Sequence, residues 1–297
     1  MRKAAGLTVI ALAYSLVMLA GCEQVPITGR SQLNLVPSSL TASMGIQQYE
    51  QFVSQSKVVS GTQQSAEITQ VGQRIVQAVE AYTKAHGEKD PFAGYQWQFS
   101  LVEDPSVNAF ALPGGKVVVY TGILPVAKDE AGLATVMSHE IAHVFADHGG
   151  ERLTQSLLAQ MGGIALSTAL KQQPQQTQSL FMSAYGLGSQ VGVLLPFSRL
   201  QETEADHLGV IFMAMAGYDP HAAVGFWERM MEASKSQARP PEFLSTHPAD
   251  ATRIKHLEEF VPEATEYYRA PVPGQMQKPA QEPGKPPAPG IFPPAIK

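Results

Sequence analysis

The sequence predicts a mainly helical α+β protein with one small sheet, and three observations carry that prediction. Ile68, Val71, Ile75, Val79 and Tyr82 recur at three- and four-residue spacing, the pattern of an amphipathic helix. Tyr95 to Val102 (YQWQFSLV) and Lys116 to Tyr120 (KVVVY) are rich in β-branched and aromatic residues. They flank Asn108 to Gly115 (NAFALPGG), which reads as a short strand and a turn. After Thr121 the pattern is helical, so the expected order is helices, a small sheet, then a long helical half. The 297 residues, 44% hydrophobic and 16% charged, suit a globular protein of one or two domains.

The chain begins with Arg2 and Lys3, followed by a mostly apolar run from Leu7 to Ala20 and small residues at Ala20 and Gly21. This is a signal-peptide pattern over residues 1–21, and it is shorter than the ~20 residues of a membrane-spanning helix. Cys22, the only cysteine, follows Leu19-Ala20-Gly21, an arrangement that resembles the bacterial lipobox in which such a cysteine is lipidated. With no second cysteine the core must be held by packing alone. Glu23 in the next position, by resemblance to lipoprotein sorting rules, favours the outer membrane. Residues 22–40, which mix Pro, Gly and Ser with scattered apolar residues, are expected to form a lipidated N-terminus and tether. The domain itself is expected over 41–270. Residues 271–297 hold nine of the 22 prolines and are expected to be an extended, disordered tail. Residues 172–198 carry no charge, but their glutamines and Pro174 make a poor membrane span, so a lid or an interfacial segment is expected there. The net charge of −5 has the wrong sign for a nucleic-acid partner.

The stretch SHEIAHVFADH, residues 138 to 148, contains an HExxH pattern. Successive helical residues turn by ~100°, so His139 and His143 lie on one face, within ~40° of each other, where two imidazoles reach one zinc ion. Glu140 stands beside that face, the place of a base acting on water at the metal. Leu133, Met137, Ile141 and Val144 cluster on the opposite side, so one face is expected to pack the core and the other to carry the chemistry. HExxH is short, however, and also occurs by chance on surface helices. A third ligand is therefore required. Ala146 stands where the HExxHxxGxxH pattern needs glycine, and His148, turned ~140° from His143 on a continuous helix, reads instead as a last-turn histidine favoured by the helix dipole. SRLQETEAD, residues 198 to 206, supplies Glu202 and Asp206 on one helical face. Glu202 can close the zinc site while Asp206 hydrogen-bonds an imidazole N–H. Glu204 points ~160° away from Glu202 and reads as an exposed carboxylate or a structural ion-pair partner.

NAFALPGGKVVVYTGIL (108 to 124), SHEIAHVFADH, SRLQETEAD and STHPADATRI (245 to 254), with the signal and lipobox, resemble the lipoprotein branch of HtpX-like peptidases. These are gluzincins related to the CAAX prenyl endopeptidase and the mitochondrial OMA peptidase. The resemblance covers residues 41 to 260 with its motifs in family order. It implies a zincin-type domain with one Zn2+, ligands His139, His143 and Glu202, base Glu140, and a role in envelope protein quality control. It also places His247 of the Thr246-His247-Pro248 stretch near the zinc. There it could donate to the oxyanion, or bind as a fourth ligand that restrains the enzyme. A loop residue packed on the following helix is the plainer alternative.

The expected reaction is hydrolysis of polypeptide substrates, with Glu140 taking a proton from water and passing it to the leaving amine. Val117, Val118, Val119 and Tyr120 are expected to form an edge strand that accepts the substrate backbone as a further strand. The expected location is the periplasm, lipid-anchored on the inner leaflet of the outer membrane, with envelope assembly partners. A chaperone-like or scaffold lipoprotein with a dormant or structural zinc is the competing reading. Against it stands Glu140, which a purely structural zinc does not need.

Overall fold

The computed structural model describes residues 22–190, 194–236, 241–248 and 250–268. The expected signal segment 1–21 and the Pro-rich segment 271–297 lie outside the described residues. Among the described residues no helix is long and apolar enough to cross a membrane.

Residues 22–40 are not the tether expected. β1 (Cys22–Gln24) and β2 (Ser31–Leu33) pair antiparallel as a hairpin, and α1 starts within the same stretch at Ser38 and runs to Ser54. The physical reason lies in the apolar residues scattered among the Pro and Gly. Val25 and Ile27 are 1% and 3% exposed and belong to the main core, so they tie the hairpin down.

The main sheet has the order β3-β4-β6-β5, formed by β3 (Val58–Val59), β4 (Gln98–Val102), β5 (Ala109–Leu112) and β6 (Lys116–Tyr120). β4 and β6 are parallel, whereas β3 and β5 run antiparallel to their neighbours at the two edges. Alternate side chains of β6 enter two cores. Val117 and Val119 join the main core, and Val118 and Tyr120 join a smaller cluster with Tyr49 of α1. The unbroken apolar run KVVVY is thus an interior strand buried on both faces. The reading of Val117 to Tyr120 as an edge strand is corrected accordingly: both of its hydrogen-bonding sides are already taken. The turn from β5 to β6 puts Gly114 and Gly115 at φ of 88° and 80°, a left-handed conformation that a side chain would strain.

α2 (Gln63–Ala85) starts at a capping box between Thr62 and Ser65. It buries Ile68, Val71, Ile75, Val79 and Tyr82, the stripe seen in the sequence. After α3 (Leu124–Ala127), the HExxH segment forms α4 (Glu130–Phe145), capped by the Asp129 carboxylate on the Gly132 N–H. Every residue of α4 from Gly132 to Phe145 is buried: Leu133, Met137, Ile141 and Val144 pack the main core as expected, and the face carrying His139 and His143 is enclosed as well. α4 is the central rod of the fold, enclosed by α2, the sheet, α7 (Leu195–Met215) and α8 (Ala222–Ser236). α5 (His148–Ala169) and α6 (Gln175–Ser189) form a helical hairpin in which the Tyr185 hydroxyl donates to the Ala159 carbonyl. α6 buries none of its residues, and Leu180, Phe181 and Leu187 are exposed. α9 (Phe243–Thr246) and α10 (Ala251–Tyr267) close the described chain.

Candidate metal centre

α4 brings His139 and His143, one turn apart, to ring centroids 4.7 Å from each other with their Nε2 atoms 3.1 Å apart. α7 delivers Glu202 because it can approach α4 closely. At Gly209 a Cβ would sit 3.2 Å from both N and Cα of His139, a tight contact with the facing backbone that glycine avoids. His247, at the end of α9, completes the group. Its Nδ1 lies 2.8 Å from Glu202 Oε2 and 3.1 Å from His139 Nε2. Glu202 also stands 3.4 Å from the Nε2 atoms of both His139 and His143. One ligand atom from each of His139, His143, Glu202 and His247 falls within 4.8 Å of all the others, and all four residues are buried.

This donor set fits a zinc ion. Three imidazole nitrogens and a carboxylate are what a tetrahedral site takes. Glu202 Oε1 and Glu140 Oε1 are buried without a hydrogen-bond partner, an arrangement that is costly unless a cation compensates it.

The surrounding charges favour positive charge at the centre. Burial resists charging His139, yet hydrogen bonds to Asp206 and Glu202 override it and raise the pKa to about 9. Burial likewise pushes Glu202 upward, but His143, His139 and His247 prevail and hold the carboxyl far below the usual range. His143 is pushed well below its ordinary value, because its burial outweighs the pull of Glu202. Asp206 accepts from His139 Nδ1 at 3.0 Å and from Arg253 Nη2 at 2.7 Å, so it fixes the ring that presents Nε2 to the cluster. Arg253 in turn lies 3.4 Å over the Trp227 ring and donates to the Pro248 carbonyl at 3.0 Å, which secures the loop carrying His247.

Glu140 touches both the cluster and the sheet. Its Oε2 accepts from the Ala111 N–H at 3.2 Å, and its Oε1 lies 3.4 Å from His247 Nε2. The edge strand beside the site is therefore β5, not β6.

Two residues, His148 and Arg253, escaped the sequence reading of roles, and Glu204 resolves to one of its two expected readings. His148 does not end the HExxH helix. Asp147 takes a left-handed conformation (φ 48°) that breaks the helix, caps α5 through the Gly150 N–H, and returns His148 beneath His143 at an Nδ1–Nδ1 distance of 2.7 Å. The ~140° separation assumed a continuous helix; the Asp-x-Gly-Gly run was the signal for a new helix start. Of the two readings of Glu204, the ion-pair partner holds and the exposed carboxylate does not: it is 6% accessible and pairs with Arg30 and His148. Arg253 sits in the STHPADATRI stretch without a role apparent from spacing.

The sequence profile of Peptidase family M48 matches residues 62–261. The chain is 36% identical over 247 residues to the mitochondrial metalloendopeptidase OMA1 of Schizosaccharomyces pombe, an alignment covering 82% of this chain and 67% of that protein. It is 31% identical over 272 residues to the Saccharomyces cerevisiae protein of the same name, covering 86% and 76%. The beta-barrel assembly-enhancing protease of Escherichia coli is 30% identical over 194 residues, covering 63% of this chain and 37% of that protein. These findings overturn the expected location in the periplasm, lipid-anchored through Cys22 to the outer membrane, because the relatives aligned over 82% and 86% of the chain are mitochondrial. With two thirds of its length matched and a buried His-His-Glu-His group at its centre, the chain belongs to Peptidase family M48 and is a zinc metalloendopeptidase.

Proposed function

We propose that this endopeptidase removes unfolded or misassembled polypeptides, with His139, His143 and Glu202 holding the metal and Glu140 serving as general base. The single observation that carries the reading is the position of Glu140. It is buried, adjoins the four-residue cluster, and is hydrogen-bonded to the free edge of the sheet. When bound, zinc supplies Lewis acidity toward a carbonyl and makes water a better nucleophile. Glu140 Oε1 takes the proton of the attacking water and delivers it to the departing amine. Ala111 directs its N–H away from β6 to Glu140, so an extended substrate pairing along β5 passes directly over that carboxylate. Strand addition needs backbone that is not already paired, and this selects unfolded segments over folded ones. The name of the E. coli relative, a protease that enhances assembly, supports a substrate of that kind.

The test is to offer one protein both folded and irreversibly unfolded by reduction and alkylation. Cleavage of the unfolded chain at least ~10-fold faster is expected, since edge pairing requires free backbone; equal rates on both forms would contradict strand addition.

His247 is the restraint in this scheme. Its Nδ1 occupies a corner of the cluster and its Nε2 faces the proposed base. His247→Ala is expected to raise basal cleavage, including self-cleavage, while three ligands retain the metal. A fall of ~100-fold in kcat with zinc retained would instead assign it to the oxyanion.

A further inference from the structure

The two histidines of α4 are oriented from behind by different devices. His139 leans directly on a carboxylate, whereas His143 leans on a second imidazole. His148 is fully buried, and its Nε2 lies 2.9 Å from Glu204 Oε2. A carboxylate only accepts, so His148 Nε2 carries the hydrogen, and in the neutral ring Nδ1 is then an acceptor. His143 Nδ1 must donate to it, which leaves the lone pair of His143 Nε2 directed into the cluster. The direction of this chain of hydrogen bonds is set at Glu204.

Glu204 is held from the N-terminal hairpin. Arg30 Nε donates to its Oε2 at 2.6 Å, and the Thr28 hydroxyl donates to its Oε1. The same guanidinium grips Glu151 with both terminal nitrogens, each at 2.9 Å, and places Nη2 3.1 Å from Gln32 Oε1. Gln201 Nε2 donates to the Glu151 carboxylate at 2.7 Å. One arginine thus joins the hairpin, α5 and α7, and is the counter-charge shared by two buried carboxylates.

We propose that Arg30 is a positioning residue for the metal site, acting through Glu204 and His148 to hold His143 in its metal-binding tautomer and orientation. This rests on the zinc reading of the cluster. It also gives the N-terminal hairpin a role that a tether does not have: without the hairpin, Glu204 loses two of its three donors.

The experiment measures zinc affinity by chelator competition, and the visible spectrum of the cobalt(II)-substituted full chain, for wild type, Arg30→Ala, Arg30→Lys, Glu204→Gln and the Arg30→Ala/Glu204→Gln double variant. Circular dichroism monitors folding. Loss of outer partners of a metal-binding histidine weakens binding by ~10–100-fold, and that is the expectation for Arg30→Ala, with an altered cobalt spectrum. Arg30→Lys is expected to restore folding stability but not the spectrum, because an ammonium lacks the fork that grips both carboxylates. Glu204→Gln keeps the volume and can reverse the hydrogen-bond direction, so it tests the relay even where Arg30→Ala does not fold. If Arg30 acts through Glu204, the double variant binds zinc no more weakly than Glu204→Gln alone. Additive losses in the double variant, or wild-type affinity and spectrum in folded Arg30→Ala or Glu204→Gln, overturn the proposal alone. A wild-type chain that binds no zinc overturns the zinc reading and this proposal together.

Discussion

Glu140→Gln is expected to abolish peptide-bond cleavage while the chain keeps its zinc. The carboxylate is buried, and its two oxygens divide their duties, Oε2 accepting from Ala111 and Oε1 facing the cluster. Glutamine fills the same volume and can still accept the Ala111 hydrogen bond through its carbonyl. It cannot take a proton from water. A positioned general base contributes ~10²–10⁴-fold, so kcat should fall by at least that much. Folding and metal content should be unchanged, because Glu140 is outside the group of four converging side chains. Steady-state kinetics on an unfolded polypeptide, alongside zinc analysis of the same sample, check both halves. Wild-type kinetics in a zinc-loaded Glu140→Gln chain would remove Glu140 from the mechanism.

The second large effect is expected at Glu202. Glu202→Ala deletes the only carboxylate among the four converging residues and leaves His139, His143 and His247 facing one another. It also strips Arg253 of a carboxylate 3.5 Å from its Nη1, although Asp206 still holds the other nitrogen. Loss of an outer partner typically weakens metal binding by ~10–100-fold, and loss of a direct ligand should exceed that range. Competition against a chromophoric chelator measures it. Unchanged affinity would mean that Glu202 is not a ligand. At Glu204, two positions along α7, a smaller loss is expected, since that carboxylate reaches the site only through His148.

What could be read from the sequence was whatever follows from regular periodicity. The α2 stripe from Ile68 to Tyr82, the HExxH helix and the ExxxD pairing of Glu202 with Asp206 depend only on 3.6-residue geometry, and the structure brings His139, His143, Glu202 and Asp206 together. What could not be read depends on breaks in that geometry or on long-range closure. A left-handed Asp147 moved His148 from a predicted outer position to one behind His143. The apolar run Val117 to Tyr120 looks the same at an edge or in the interior, and only the pairing partners β4 and β5 decide between them. Residues 22–40 looked loose by composition, yet Val25 and Ile27 are buried in the main core and Arg30 pairs with Glu151 and Glu204, more than a hundred residues away.

The central claim is that one zinc, held by this cluster, is required for hydrolysis. It is tested most directly by stripping the chain with a chelator, adding zinc back in steps, and measuring bound metal and peptide cleavage on the same samples. Both are expected to rise together and level off at one zinc per chain, with cleavage absent from the stripped protein. Cleavage that persists in the stripped chain, or full zinc loading with no cleavage of an unfolded substrate by either wild type or His247→Ala, would contradict it.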